Sequence, residues 1–281
     1  MLIYLIKIIA IFHEFIHEKF SINLRGLGFL YRRISKDQIF KVKGYKLFFN
    51  HKIADNYGRL INGKFNEKET HYFLDKVFSS KNNWHFVDIG GNVGEFVLDY
   101  STNYNVNNVT VFEPQPEQQI AIQKTIELNS FSNTKLVRKP VSSKEEFILF
   151  NFNQTNSTAS GITNDTEKGK SIMATTIDKE LFNINNTQNF VFLIDTEGAE
   201  LEILKGGIKL IQTFQPLIIF EYNHVTKKYF KISDVQDFLG NNYTIYRLRK
   251  DGKLDYDFQK TWNLVAVPKS TTFDHLRNEI K

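Results

Sequence analysis

The segment that most constrains the fold is residues 84–95, where an apolar run ends in an acid, Asp88, and breaks into a turn rich in glycine. The glycines are Gly90, Gly91 and Gly94, and a helical pattern follows them. Glycine allows the backbone to turn sharply and to approach a ligand closely. In an α/β fold, such a turn at the carboxyl end of the first strand opens a pocket for a nucleotide-type ligand. The segment therefore predicts an α/β fold with a ligand pocket at this turn.

Strand-like and helix-like patterns alternate from residue 84 onward. Strands are predicted at 84–89, 109–113, 135–141, 190–195, 216–221, 243–249 and 262–268, and helices at 93–103, 116–129 and 198–212. The segments 146–152 and 172–176 predict an extra hairpin or loop excursion, and Asp251 with Gly252 predicts a turn between the last two strands. This alternation indicates a doubly wound, mostly parallel seven-stranded sheet that is covered on both faces, with an antiparallel strand added at its edge.

Residues 1–80 precede this pattern and predict an N-terminal helical and hairpin cap, with the main domain at 81–281. Residues 38–50 alternate as in a hairpin around Gly44, and 67–78 have helical periodicity. We expect the cap to cover the pocket, to help select a substrate and to mediate formation of a homodimer.

The first twelve residues are apolar except for Lys7. This block is shorter than the roughly 20 apolar residues of a membrane-spanning helix, and no small-residue cleavage site follows it. We therefore expect a cytoplasmic protein without a cleaved signal. Two interpretations of residues 1–20 stay open: a helix that packs on its own domain or on a partner subunit, and an interfacial helix that lies on a membrane.

Composition narrows the classes of partner. The net charge of +5 comes from lysines and arginines scattered over 281 residues, without a dense basic block, so we expect no nucleic-acid partner. The chain has no cysteine, which excludes disulfides, thiolate zinc sites and cysteine nucleophiles.

The glycine turn is compatible with two classes of ligand. The dinucleotide motif G-x-G-x-x-G, started at Gly90, would require glycine where Asn92 and Glu95 stand, and a carboxylate at residue 95 would repel a diphosphate. Aligned as acid-x-G-x-x-x-G, the turn resembles the first motif of class I S-adenosylmethionine-dependent methyltransferases, whose ligand is cationic. Glu113 ends the second strand, 25 residues after Asp88, where a carboxylate accepts hydrogen bonds from ribose hydroxyls in both classes.

A second group of acids follows two later strands. Asp195 and Glu197 come after one apolar strand, and Glu221 and His224 come after the next. Because carboxyl ends of parallel strands face the ligand crevice, we expect these side chains near the reacting centre. Asp195 can instead cap the following helix. A divalent cation held by Asp195, Glu221 and His224 is chemically reasonable, but no spacing signature supports it, and we predict no metal.

Six segments in order make the resemblance specific. They are Phe86–Gly94, Val111–Pro116, Thr175–Asp178, Ile194–Gly206, Pro216–Glu221 and Asn263–Pro268. Together they resemble the FkbM-type family of methyltransferases, over roughly two-thirds of the chain. The resemblance implies a Rossmann-like class I methyltransferase fold, S-adenosylmethionine as cofactor, and methylation of a hydroxyl of a sugar or natural product. The expected acceptor is a glycan, a lipopolysaccharide or a glycosylated metabolite.

Roles for individual residues follow from the resemblance. Cofactor-binding roles are implied for Asp88, Gly90, Asn92, Gly94, Glu95, Glu113, Pro114, Ser142 and Asp195. Asp195 is the first candidate for the base that takes the acceptor proton, followed by Glu221 and His224 and then by Glu197. Ser160, in the polar loop 151–161, is a further candidate at the pocket edge.

Two other functions remain open at the level of sequence. The first is a nicotinamide-dependent oxidoreductase, against which Asn92 and Glu95 argue. The second is a non-catalytic scaffold that docks on membranes through residues 1–20 and keeps a vestigial pocket.

Overall fold

The computed structural model of the chain describes residues 36–80, 82–152, 161–163, 165–167, 169–183 and 189–277, and the single positions Ile8, Ile11, Phe12 and Arg33. The strands are β1 (Gln38–Val42), β2 (Tyr45–Phe49), β3 (Trp84–Ile89), β4 (Val106–Phe112), β5 (Thr134–Val137), β6 (Phe147–Asn151), β7 (Gly161–Ile162), β8 (Gly169–Met173), β9 (Asn189–Ile194), β10 (Leu217–Glu221), β11 (Tyr243–Leu248), β12 (Leu254–Asp255) and β13 (Asn263–Pro268). The α-helices are α1 (Lys68–Val77), α2 (Glu95–Tyr100), α3 (Pro116–Asn129), α4 (Ile177–Leu181), α5 (Glu200–Lys205), α6 (Ile208–Phe214), α7 (Ile232–Leu239) and α8 (Asp274–Arg277). A 3₁₀ stretch with a kink lies at His51–Asn62, and short 3₁₀ segments lie at Thr226–Lys228, Gly240–Asn242 and Thr271–Phe273.

The central sheet has the strand order β12-β11-β13-β10-β9-β3-β4-β5. It contains the seven predicted strands and the two-residue β12, and β3, β4, β5, β9 and β10 run parallel. The doubly wound α/β fold is therefore confirmed. The predicted position of the antiparallel strand is wrong, because β13 pairs antiparallel with both β10 and β11 and so lies inside the sheet.

Both faces of the central strands are buried, which explains their nearly continuous apolar sequences. All six residues of β3 are buried, and Phe86 packs with Leu193 in a cluster on one face. Val87 packs with Phe192 in a cluster on the opposite face. Parallel strands covered on both sides have this composition, since neither face meets water.

Two predicted elements are shorter than expected for identifiable reasons. The strand predicted at 135–141 ends at Val137, since Pro140 has no N–H for a sheet ladder, and Val141 makes only an isolated bridge to Thr175. The helix predicted at 198–212 is two helices, α5 and α6. They separate at Gly206, where an added Cβ would lie 2.1 Å from the carbonyl oxygen of Ser142.

The predicted hairpin at 38–50 and helix at 67–78 are confirmed as β1–β2 and α1. The hairpin lies against α3, where the backbone N–H of Phe48 donates to Oγ1 of Thr125 at 3.1 Å. Of residues 1–20, Ile8, Ile11 and Phe12 are helical and more than half exposed, and the rest of that segment lies outside the described residues. No helix among the described residues combines the length and apolar content that a bilayer crossing requires.

The excursion between β5 and β9 forms its own antiparallel sheet of three strands, in the order β7-β6-β8. The predicted hairpin in this region is confirmed by the pairing of β6 with β8, from Phe147 opposite Met173 to Asn151 opposite Gly169. This small sheet is separate from the central one.

Candidate active site

The glycine turn is held against the ends of two neighbouring strands. The N–H groups of Gly90 and Gly91 both donate to the carbonyl oxygen of Phe112, at 3.0 and 3.2 Å. Gly90 has φ +98°, and a Cβ there would lie 1.9 Å from the carbonyl oxygen of Asp195. Glycine is therefore required at residue 90 by both its backbone conformation and its close contact with the end of β9.

Glu113 contacts the glycine turn at Asn92, which lies 21 residues earlier in the chain. The N–H of Asn92, a residue with φ +47°, donates to Oε2 of Glu113 at 2.8 Å, and the N–H of Gln115 donates to Oε1 at 2.8 Å. The side chain is 2% exposed, and burial raises the pKa of Glu113 to about 8. Two backbone donors thus fix the orientation of a carboxylate beside the turn.

A cleft opens at this turn, with about 780 Å³ of empty space counted out to its open mouth. The cleft is lined by Ile89, Gly90, Asn92, Phe112, Glu113, Pro114, Gln115, Lys139, Pro140, Val141, Phe150, Gly161, Ile162, Asp195, Thr196, Glu197, Ala199 and Ile203.

Several lining residues escaped the sequence analysis. Lys139 and Pro140 follow β5, so the rule that strand ends face the crevice could have found them. Phe150 and Ile162 come from the small sheet, which forms one wall of the cleft. Of this excursion, the sequence predicted one residue, Ser160, at the pocket edge, but not that β6 and β7 form a wall of the cleft.

The acidic centre lies at the ends of β9 and β10. One carboxylate oxygen from each of Asp195, Glu197 and Glu221 lies within 4.8 Å of the others. Asp195 and Glu197 line the cleft, whereas Glu221 is 3% exposed and accepts a hydrogen bond of 2.5 Å from Nδ2 of Asn223. His224 was predicted to join this group, but it is exposed and is not a member of it.

The electrostatics of this centre are those of crowded acids. Burial and the neighbouring Glu221, Glu197 and Glu200 raise the pKa of Asp195 well above its usual value. Burial, Glu197 and Glu200 also raise the pKa of Glu221. The cap contributes a further acid, Glu67, which the sequence analysis missed. Its carboxylate accepts a hydrogen bond from Nδ2 of Asn263 at 3.1 Å. Burial and the neighbouring Asp195 raise the pKa of Glu67 to about 8.

The support for the loop that carries Glu197 comes from Glu200. Its Oε1 accepts hydrogen bonds from the N–H groups of Thr196 and Gly198, at 3.0 and 3.2 Å, and from the Thr196 hydroxyl. Glu197 itself has φ +59°, a left-handed conformation that is costly for a residue with a side chain. Glu200 therefore stabilises the backbone that presents Glu197 to the cleft.

Other predicted residues lie outside the cleft lining. Asp88 is 2% exposed, its Oδ2 has no hydrogen-bond partner within the described part of the chain, and burial raises its pKa to about 8. Gly94, with φ +83°, precedes α2. Ser142 is buried, and its N–H donates to the carbonyl of Thr175 at 2.9 Å. Ser160 lies outside the described residues.

Glu95 faces the cap and not the cleft. Its carboxylate accepts from the N–H and Nδ2 of Asn66, each at 2.7 Å, from the N–H of Glu67 at 3.2 Å, and it lies 3.2 Å from Nε2 of His71. Glu95 would therefore not repel a diphosphate in the cleft, because its carboxylate is turned toward the cap. The cap was also expected to cover the pocket, yet no residue in the described range 36–80 lines the cleft.

The charges that do line the cleft make it acidic. Glu113, Asp195 and Glu197 contribute carboxylates, and among the described lining residues the cation is Lys139. Phe112, together with the other apolar lining side chains, supplies flat apolar walls. Such a site favours a ligand with an apolar ring, hydroxyl groups and positive charge over one with a diphosphate.

Comparisons with known proteins agree with this architecture. A family model described as the methyltransferase FkbM domain matches residues 88–258. The crystal structure of methyltransferase FkbM from Methylobacillus flagellatus KT is 15% identical, with a TM-score of 0.50 over 78% of this chain and 55% of that one. The chain thus spans little more than half of that structure, and at this identity the likeness concerns the fold.

Two further solved structures are more distant. M. jannaschii TYW2, crystallised in complex with AdoMet, is 11% identical over 82% of this chain and 84% of that one, with a TM-score of 0.43. The ribosomal protein L11 methylase of Lactobacillus delbrueckii subsp. bulgaricus is 12% identical over 74% and 81% of the two chains, with a TM-score of 0.42. No curated protein matches the sequence.

Proposed function

Because the chain belongs to the FkbM methyltransferase family, we propose that it is an S-adenosylmethionine-dependent O-methyltransferase whose acceptor is a sugar hydroxyl. The observation that carries the proposal is the composition of the cleft wall: a carboxylate held by two backbone donors, Glu113, faces the same cleft as the acidic centre at Asp195. The carboxylate of Glu113 suits a ribose diol, and the acidic centre at Asp195 suits the positive charge of the cofactor.

The residues of the cleft are compatible with this cofactor. Each oxygen of Glu113 accepts one backbone hydrogen bond, and a carboxylate has about four lone-pair positions, so these two bonds do not exhaust its capacity to accept. Phe112 and Pro140 offer apolar surface for an adenine ring. When bound, S-adenosylmethionine supplies a methyl group that is already activated as a sulfonium.

The remaining task of the protein is to orient the acceptor and to remove its proton. Asp195 lies at the cleft surface with an elevated pKa, which suits a group that accepts a proton from an alcohol near neutral pH. Glu221 adjoins Asp195 behind the lining and sustains that elevation through its charge. We assign Asp195 as the proton acceptor and Glu221 as a residue that positions it and tunes its pKa.

An exposed aromatic ring beside the cleft supports a sugar as acceptor. Tyr229 is 65% exposed and covers Gly198, where an added Cβ would lie 2.4 Å from the tyrosine ring. Gly198 stands between the lining residues Glu197 and Ala199. An exposed ring at this position offers an apolar face on which a sugar ring can pack.

Isothermal titration calorimetry tests the cofactor. We expect S-adenosylhomocysteine to bind with a 1:1 stoichiometry and NAD to show no measurable binding under the same conditions. Binding of NAD without binding of S-adenosylhomocysteine would refute the proposal and favour the oxidoreductase alternative.

Acceptor screening tests the reaction. Incubation with labelled S-adenosylmethionine and a panel of sugars and glycans is expected to transfer label to an oxygen. A Tyr229→Ala variant should raise KM for the acceptor while cofactor affinity stays unchanged. Transfer of label to carbon or nitrogen would contradict the O-methylation part of the proposal and leave the family assignment intact.

A further inference from the structure

The three carboxyl groups of Asp195, Glu197 and Glu221, at the ends of β9 and β10, form a close cluster. One oxygen from each of Asp195, Glu197 and Glu221 lies within 4.8 Å of the other two. The charged groups that raise the pKa values of Asp195 and Glu221 are themselves acids, with Glu200 acting on both. Like charges packed at this distance repel one another, so the cluster is suited to a bound cation.

A second observation points to a missing ligand. Glu221 is 3% exposed, its Oε1 accepts from Asn223, and no donor group within the described part of the chain reaches its Oε2, although its carboxyl group is in hydrogen-bond contact with that of Asp195. Two ionised carboxylates carry no donor, so a buried contact between them requires either a shared proton or a cation. Glu221 is also the side chain that completes the cluster.

The dimensions of the cluster suit a hard divalent cation. Oxygen ligands of Mg²⁺ lie at about 2.0–2.1 Å and those of Ca²⁺ at about 2.3–2.6 Å, so ligands on one ion lie up to about 4–5 Å from one another. The three carboxylate oxygens lie within 4.8 Å of one another, an upper bound that is compatible with ligands of one such ion. Carboxylates are the ligands that such ions prefer, and the chain has no cysteine to recruit a softer metal.

The position of the cluster leaves room for an acceptor. Asp195 and Glu197 line the cleft, and Glu221 lies behind them. An ion held from that side has three protein ligands, fewer than the six or more that these ions take, and its remaining positions face the cleft. A hydroxyl bound at an open position becomes a stronger acid.

We propose that Asp195, Glu197 and Glu221 bind one divalent, oxygen-ligated cation of the Mg²⁺ and Mn²⁺ class, with open coordination positions toward the cleft. Binding of the ion does not depend on the proposed function, but its role in acidifying an acceptor hydroxyl does. A bound ion lowers the pKa of Asp195, so the elevated pKa of that carboxyl belongs to the metal-free protein, and in the metal-loaded protein the ion itself acidifies the acceptor hydroxyl.

Mn²⁺ binding to the full chain tests the site. After treatment with a chelator, the wild-type protein is titrated with Mn²⁺, and free Mn²⁺ is measured by electron paramagnetic resonance. We expect one site with a dissociation constant below millimolar. Glu221→Gln and Glu197→Gln should each weaken binding at least tenfold, whereas Glu202→Gln should leave it unchanged. Glu202 is the matched control because it is half-exposed and paired with Lys205 at 2.5 Å.

The outcomes separate this proposal from the proposed function. Circular dichroism and a thermal melt of each variant verify that it is folded. Wild-type protein that binds S-adenosylhomocysteine but not Mn²⁺ would overturn the metal site and leave the methyltransferase intact. Mn²⁺ binding without cofactor binding would support the site and refute the function. Competition between Mn²⁺ and S-adenosylmethionine, or equal affinity in all variants, would also overturn the metal site.

Discussion

Replacement of Glu113 gives a quantitative test of the cleft. In the proposed complex its carboxylate accepts two hydrogen bonds from the ribose, while the N–H groups of Asn92 and Gln115 hold it in place. Hydrogen bonds to a charged group are worth about 1.5–3 kcal/mol each, so Glu113→Ala should cost at least about 3 kcal/mol of binding free energy. This corresponds to a dissociation constant that is at least about 100-fold higher.

The same substitution acts on stability, and the assay separates the two effects. Removal of the carboxylate leaves the N–H groups of Asn92 and Gln115 without their acceptor, which should lower the melting temperature. Calorimetry with S-adenosylhomocysteine at pH 8.5, on protein shown to be folded, measures binding alone. Glu127→Ala is the matched control, since Glu127 lies on α3, is exposed and contacts Gln123. An affinity of Glu113→Ala within threefold of wild type would refute the ribose role.

Three further predictions concern turnover, the glycine turn and pH. Asp195→Asn should lower kcat by about 100-fold or more while cofactor binding persists; full activity in a methyl-transfer assay would exclude Asp195 as the proton acceptor. Gly90→Ala should destabilise the protein by about 2–4 kcal/mol in urea denaturation, because its Cβ would meet a backbone oxygen at 1.9 Å. Gly44→Ala is the control, because Gly44 also has a positive φ, +89°, but a Cβ there would meet no atom within 4 Å. It should therefore lower the free energy of unfolding by less than Gly90→Ala does. Equal losses in the two variants would show that the contact with the Asp195 carbonyl does not destabilise the protein. Burial raises the pKa values of Asp88 and Glu113 to about 8, so the folded ligand-free protein holds these protons and loses stability as pH rises through 8. From pH 6.5 to 8.5 the loss should be about 2 kcal/mol for each group, and a melting temperature that rises over this interval would contradict it.

Local patterns were sufficient for the elements that form the pocket wall. The strand at 84–89 and the helix at 116–129 were predicted with the bounds that the structure has. Both segments carry strong local signals: an unbroken apolar run before glycines, and a proline at the first turn of a helix. The spacing from Asp88 to Glu113 also predicted a carboxylate at the end of the second strand, where a ligand would lie, and Glu113 lines the cleft.

Which side of an element faces the cleft was decided by packing. Glu95 and Asn92 are three residues apart in one turn, yet Asn92 lines the cleft and Glu95 accepts hydrogen bonds from Asn66 in the cap. The partner that turned Glu95 away lies 29 residues earlier, so no window around the turn contains that information. The exposed position of His224 was likewise invisible in a pattern that placed it near Glu221.

Local patterns in the sequence specify the doubly wound sheet, the glycine turn and the acids that end its strands, because periodicity and turn chemistry act over a few neighbouring residues. Long-range packing specifies that β13 inserts between β10 and β11, that β6 and β7 form a wall of the cleft, and that Glu221 but not His224 joins Asp195 and Glu197. These features depend on which distant surfaces pack together. Their free energy comes from burial summed over the whole fold, which no single segment encodes.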